Sequence, residues 1–324
     1  MIKDPASGEL KPFDFSYLAN EIPELKKFNC TLDAKSLGEA IDSSDMTPKV
    51  WEEIAEIIFQ NYNNYTGFVV LHGSDTMAFT ASALSYMLQG LKKPIVLTGS
   101  QLPIGAVRSD GKENLITAIE IALAKQNNES IIQEVAIYFE YKLYRGNRTQ
   151  KIDAQNFQAF SSFNYPLLAE AGVDVKYNYP YLFRSDKKDL ILKKGFVSEV
   201  AVLKFYPGIS KDYVLAALNS SCKAIIIETF GAGNVTTEKW LIDELKKQID
   251  NNKIILNVTQ CNGGMVEQGK YATSKQLKEI GVVSAKDMTF EAAVTKLMFL
   301  LSQEKETSSV IKKTQEPIAG EITL

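Results

Sequence analysis

The run Gly67-Phe68-Val69-Val70-Leu71-His72-Gly73-Ser74-Asp75 constrains the fold more than any other part of this sequence. An apolar stretch without alternation, bounded by glycine, predicts a strand buried on both faces, as in a parallel sheet. The next stretch, Thr76 to Gln89, is rich in Ala, Met and Leu and predicts a helix. Ser74 and Asp75 then fall at the carboxyl end of a strand, where a helix begins. In open α/β sheets that edge receives ligands. The pattern recurs. Pro94 to Leu97 runs into Thr98-Gly99-Ser100-Gln101, Ala224 to Ile227 into Glu228-Thr229-Phe230-Gly231-Ala232-Gly233-Asn234, and Ile254 to Val258 into Thr259-Gln260-Cys261-Asn262-Gly263-Gly264. Each apolar run stops in glycine plus hydroxyl, amide or carboxylate groups, which implies one ligand-facing edge per sheet.

The segments between these runs supply the helices. Met1 to Gly8 reads as a loop, and Ser16 to Lys27 as a weak helix broken at Pro23. Asp42-Ser43-Ser44-Asp45-Met46-Thr47-Pro48 is a polar turn, with Pro48 at a first helical position before Val50, Trp51, Ile54, Ile57 and Ile58. Asp110 with Glu113 has capping-box spacing ahead of Leu115, Ile116, Ile119 and Leu123. Val135 to Phe139 is another strand. Asn178 to Lys194, with Pro180 and a Lys-Lys-Asp run, reads as a linker, after which Val200 to Phe205 opens a second α/β series with helices from Lys211, Thr237 and Thr289. The expected organisation is an N-terminal α/β domain over 1–178, a linker over 179–195 and a C-terminal α/β domain over 196–324.

Composition narrows the chemistry. A net charge of −3 without a long basic run argues against nucleic acid or an anionic membrane as partner. No apolar run reaches the roughly 18 residues that a bilayer span needs. Cys30, Cys222 and Cys261 are scattered singly, giving neither a disulfide framework nor a zinc site. The single histidine, His72, bars a multi-histidine metal centre and reads as a strand-end residue satisfied by local hydrogen bonds rather than as a general base. A hydrolase built from this chain would use lysine as its base. Gly231-Ala232-Gly233-Asn234 lacks the third glycine and the downstream acid of a dinucleotide site, so it reads as a tight strand-to-helix turn. Asp42 to Asp45 reads equally as a solvated turn or as part of a site. Lys151, Arg108 and Arg148, on type alone, read as surface charges.

Several of these motifs together resemble the bacterial L-asparaginase family. They are Asp42-Ser43-Ser44-Asp45-Met46-Thr47-Pro48, His72-Gly73-Ser74-Asp75-Thr76-Met77, Thr98-Gly99-Ser100-Gln101-Leu102-Pro103 and Arg108-Ser109-Asp110-Gly111. Tyr144-Arg145-Gly146-Asn147-Arg148-Thr149, Tyr206-Pro207-Gly208 and Asp287-Met288-Thr289 resemble its cytosolic, type I branch. The resemblance implies a two-domain fold, with a larger N-terminal doubly wound (flavodoxin-like) sheet and a smaller C-terminal domain with a parallel sheet. It implies hydrolysis of L-asparagine to L-aspartate and ammonia, no metal or organic cofactor, a cytoplasmic location and a homodimer or homotetramer. Residue by residue, Ser43 matches the serine that binds the substrate α-carboxylate, with Asp42 and Ser44 beside it. Ser74 stands where the family has a threonine, Asp75 matches the acid that holds the α-ammonium, and Lys151 matches the lysine grouped with them. An amidotransferase subunit of the same fold is disfavoured, because the likeness to type I motifs runs the length of the chain without an extra domain.

Two departures set further expectations. Family members open with a strand ending in Thr-Gly-Gly-Thr-Ile-Gly, whose second threonine is the primary nucleophile, and these 324 residues contain no such run. The tyrosine of the family's flexible lid is also unmatched, since Glu9 follows Gly8 and Tyr17 lies too far along. An internal strand contributes several buried side chains at about 1.5–3 kcal/mol each, comparable with the stability of a whole domain. The expectation is therefore a native chain that begins further upstream, and a natural protein of 36.0 kDa would refute it. Without the threonine, little hydrolysis is expected from this chain, with attack by Ser74 as the rescue and a non-catalytic amino-acid-binding protein as the rival. The second departure is Glu228, which stands where some type I members use an arginine to bind effector asparagine, near Thr259, Gln260 and Cys261. An anion there predicts hyperbolic kinetics.

Overall fold

A computed structural model describes residues 2–3, 10–11, 22–38, 41–269 and 272–323. The chain forms two units, divided between Lys193 and Lys194. In the first, six strands make one sheet: β1 (Phe68–Leu71), β2 (Ile95–Thr98), β3 (Val135–Phe139), β4 (Lys142–Arg145), β5 (Ala169–Ala171) and β6 (Val175–Tyr177), in the order β6-β5-β4-β3-β2-β1. β1, β2 and β3 are parallel, whereas β3 to β6 run antiparallel to their neighbours. Continuous apolar runs form the parallel part, and β2 and β3 are buried throughout, as expected for strands covered on both faces.

Helix α1 (Pro48–Asn61) lies against α2 (Met77–Met87), and α3 (Gly111–Leu123) covers the sheet from its own side. Every residue of α2 except Phe79 is buried. Its hydroxyls cost little there, because Ser82 donates to Ala78 O (2.8 Å) and Ser85 to Ala81 O (2.7 Å), satisfying each within the helix. Leu115, Ala118, Ile119, Ile121 and Ala122 present the apolar side of α3 to Val69, Val96 and Ala136.

Three local expectations differ from the structure. β1 is not buried on both faces: it is the edge of the sheet among the described residues, and Leu71 is 44% exposed. An unbroken apolar run reports what a strand is suited to, not which neighbours flank it. The capping box at Asp110 does not form. Its carboxylate instead accepts from the N–H groups of Gln101 (2.9 Å) and Leu102 (3.1 Å), and Glu113 accepts from Tyr138 Oη (2.6 Å). The helix after Thr76 ends at Met87, and Leu88–Gln89 pair with Ile191–Leu192. That pairing, with Phe183 N donating to Glu134 (2.7 Å), packs residues 179–193 of the expected linker into the first unit. The readings for Met1 to Gly8 and for Ser16 to Lys27 fall mostly outside the described residues; Pro23–Lys27 forms a short 3-10 helix.

The second unit is built on a parallel four-stranded sheet, β7 (Val200–Lys204), β8 (Ala224–Thr229), β9 (Ile254–Thr259) and β10 (Val283–Ser284), in sequential order. Helices α4 (Lys211–Leu218), α5 (Lys239–Asp250), α6 (Ala272–Glu279), α7 (Phe290–Gln303) and α8 (Thr307–Thr314) accompany it. Val214, Leu218, Leu241, Leu245 and Leu277 close over Leu203, Ile225, Ile227 and Ile255 to form its core. Gly231 to Asn234 makes the expected tight turn, Asn234 N donating to Phe230 O (2.8 Å). Among the described residues no helix is long and apolar enough to cross a membrane.

Candidate active site

Two glycines bring the polar strand exits together. A Cβ on Gly73 would lie 2.6 Å from Ser43 Oγ, and one on Gly99 would lie 2.2 Å from His72 O. Only glycine at both positions lets the 3-10 turn Ser43–Asp45 and the β2 exit close onto the end of β1. The buried Ser43 is held there because Thr76 Oγ1 donates to its carbonyl (2.6 Å). Asp42 caps the turn, accepting from Ser44 N (2.9 Å) and Ser44 Oγ (2.8 Å). These bonds, the backbone one foremost, hold the Asp42 carboxyl below the usual carboxylate range.

Lys151 reaches the same place from the far side of the sequence. It lies on a short strand, Gln150–Lys151, paired antiparallel with Phe160–Ser161. Its Nζ donates to Ser74 Oγ (2.8 Å) and Asp75 Oδ1 (2.6 Å). The lysine side chain is 16% exposed and the aspartate 64%. Asp75 can therefore meet a cationic group from solvent while Lys151 is largely enclosed.

A rigid bed supports the segment that delivers Lys151. Arg145 Nε donates to Glu134 Oε2 (2.6 Å), both buried, and the guanidinium lies 4.1 Å from the Tyr165 ring centre. Arg148, which its charge assigned to the surface, is 1% exposed and lies 5.2 Å from the same ring. A stacking aromatic lets guanidinium planes enter a core that would reject an ammonium. Arg108 is exposed beside Phe157.

His72 is bonded on both nitrogens. Nδ1 contacts Gly73 O (2.6 Å) and Nε2 contacts Thr80 Oγ1 (2.8 Å). A carbonyl only accepts, so Nδ1 carries the proton and Thr80 donates to Nε2. Trp51 Nε1 in turn donates to Thr80 Oγ1 (3.0 Å). Burial pushes the imidazole below its ordinary value, so it stays neutral and structural.

The sequence placed Gln101 at a strand exit and in a family-like motif without giving it a role, yet its Oε1 accepts from Ser74 Oγ (2.9 Å). Among the described residues no three His, Cys, Asp or Glu side chains are grouped to hold a metal ion. Glu228, Thr259, Gln260 and Cys261 sit at the carboxyl ends of β8 and β9 in the second unit, Glu228 lying 3.9 Å from Lys204. Gln260 Nε2 donates to Phe205 O (2.7 Å) and Glu228 O (2.8 Å).

The arrangement in the first unit is a hydroxyl, an ammonium and a carboxylate in series beside a capped 3-10 turn. Such a series can activate an oxygen nucleophile and seat a small zwitterion. Comparison with known proteins leads the same way. The profile of "Asparaginase, N-terminal" matches residues 1–182, and that of "Glutaminase/Asparaginase C-terminal domain" matches 199–313. "L-asparaginase 1" of Escherichia coli is 44% identical over 87% of this chain and 82% of its own length. The crystal structure of L-asparaginase I from Vibrio cholerae is 41% identical, with a TM-score of 0.80 over 88% of this chain and 84% of that one. The thermostable L-asparaginase from Thermococcus kodakarensis is 28% identical, with a TM-score of 0.90 over 98% of this chain and 94% of that one. The chain belongs to the asparaginase family.

Proposed function

We propose that the chain hydrolyses the side-chain amide of L-asparagine to L-aspartate and ammonia through an acyl-enzyme, acting in the cytosol as a homodimer or homotetramer. The observation that carries this reading is the contact series Ser74 Oγ, Lys151 Nζ and Asp75 Oδ1, at 2.8 and 2.6 Å, in a chain of this family.

Asp75 holds the substrate α-ammonium, and Ser43 receives the α-carboxylate with Asp42 and Ser44 shaping the turn. Once Lys151 has shed a proton, it takes the Ser74 proton as Oγ attacks the amide carbon. The tetrahedral intermediate collapses, expelling ammonia with that proton and leaving an ester on Ser74. Water then attacks the ester, Lys151 taking its proton and returning it to Ser74 Oγ as L-aspartate departs.

Release through Ser74 is expected to be slow. The test measures ammonia from L-asparagine with wild-type protein, Ser74→Ala and Lys151→Met. Slow release abolished by either substitution supports the reading. Retained L-asparagine binding with no release would overturn attack by Ser74.

A further inference from the structure

Gln101 spans two parts of the candidate site, and the chemistry of its amide fixes which way round it sits. On one side lie two carbonyls, Asn156 O at 3.0 Å and Asp153 O at 3.5 Å from Nε2. Both only accept, so the amide nitrogen must face them. The oxygen then faces Ser74 Oγ at 2.9 Å and can only accept its proton. With its proton committed to Gln101, Ser74 turns a lone pair toward the Lys151 ammonium 2.8 Å away.

The anchorage continues behind the amide. Asp110, 7% exposed, accepts from the Gln101 backbone N–H with both oxygens, at 3.0 and 2.9 Å. Asn114, fully buried, donates to Asp110 Oδ2 (3.2 Å) and Gly99 O (3.0 Å). In front, the Asp153 carboxylate accepts from Gln155 N (2.7 Å) and Asn156 N (2.8 Å), folding the segment that presents its carbonyls to the amide. Gln101 is thus fixed to the β2–α3 connection and grips both the hydroxyl and the segment that follows Lys151.

From this geometry we propose that Gln101 is a positioning residue, which holds the Ser74 oxygen within reach of Lys151 Nζ and ties it to segment 152–158. The inference rests on the proposed roles of Ser74 and Lys151. It assigns separate tasks to the two ends of one amide: the oxygen sets the hydroxyl, and the nitrogen holds the segment.

Two substitutions separate these tasks. Gln101→Met removes both; Gln101→Glu keeps an acceptor and loses the donors. For ammonia release, Gln101→Met is expected to lower kcat on the order of tenfold with little change in KM, as loss of one oriented hydrogen bond would. Gln101→Glu recovers most of that kcat at high pH. Its rising limb moves to higher pH, because a new anion joins Asp75 and Asp153 around Lys151 and favours the ammonium. Hydrogen exchange of peptides covering 152–158 rises in both variants and needs no turnover to be read. Equal loss of kcat in both variants at every pH would overturn the orienting role, and unchanged exchange would overturn the tie. If the wild type releases no ammonia, the functional reading falls, while exchange still decides whether Gln101 joins the two segments.

Discussion

Each unit contains a lysine–carboxylate contact of 2.6 Å, and their surroundings could hardly differ more. In the first, Lys151 and Asp75 are 16% and 64% exposed. In the second, Lys296 and Glu321 are both 0% exposed. Lys296 also donates to Thr314 O (3.1 Å) and Glu316 O (2.6 Å), so its three protons each meet an acceptor. Glu321 accepts from Ile318 N (2.9 Å) and Ala319 N (2.8 Å). Burial pushes the Lys296 ammonium below its usual range, against the opposing pull of Glu321. A sealed pair with every group satisfied fastens α7 to the carboxyl-terminal segment and has nothing left with which to do chemistry. The Lys151 pair is the reverse: its second acceptor is a hydroxyl, and its carboxylate faces water. Distance between charges therefore says little about their task; solvent and the remaining partners decide it.

The contrast predicts opposite responses to the same substitution. Lys151→Met is expected to reduce ammonia release by about 10²–10⁴-fold, the range for loss of a positioned base. It should shift folding free energy by no more than about 1 kcal/mol, since the pair is half in water. Lys296→Met should cost about 3–5 kcal/mol by stranding a buried carboxylate, while leaving kcat per folded molecule unchanged. Urea unfolding followed by circular dichroism measures both. Adding Glu321→Gln to Lys296→Met removes the stranded charge and keeps an acceptor for the Ile318 and Ala319 N–H groups, so it should restore most of the loss. A single Lys296→Met costing under about 1 kcal/mol would erase the distinction.

The same distinction explains what the sequence could disclose. Strands such as Val135–Phe139 were legible because burial on two faces writes itself as an unbroken apolar run. The position of Gly73 and Gly99 just before hydroxyl residues marked a crowded strand exit. The approach of Lys151 to Ser74, 77 residues away, is written in no local spacing and entered only through the family resemblance. Arg148 was misread because charge predicts exposure unless an aromatic neighbour is known, and Tyr165 lies 17 positions on in the sequence. Asp110 and Glu113 have the spacing of a cap, but tertiary donors, Gln101 N and Tyr138 Oη, outcompete the helix end for them. Local pattern yields elements and exits; which polar groups meet across them depends on packing.

His72 sharpens the comparison further, because a side chain bonded on both ring nitrogens sits two residues before one that belongs to the candidate site. Its folded-state affinity for protons is depressed by burial, while the unfolded chain titrates near the ordinary histidine value, about 6.5. The unfolded state therefore binds more protons once pH falls toward that value. Stability contributed by the neutral ring is complete above about pH 6.5 and is lost as pH falls from there through the lower folded value. The slope cannot exceed one proton's worth, about 1.4 kcal/mol per pH unit. Since this is the only histidine in the chain, replacing it isolates the contribution. In urea unfolding between pH 7.5 and about pH 5, His72→Gln should start less stable, having lost the bonds to Gly73 and Thr80, but should decline less steeply than wild type. Parallel curves would mean that His72 accepts its proton in the folded state as easily as in the unfolded one. The line between structural and chemical polar groups would then fall before His72 rather than between it and Ser74.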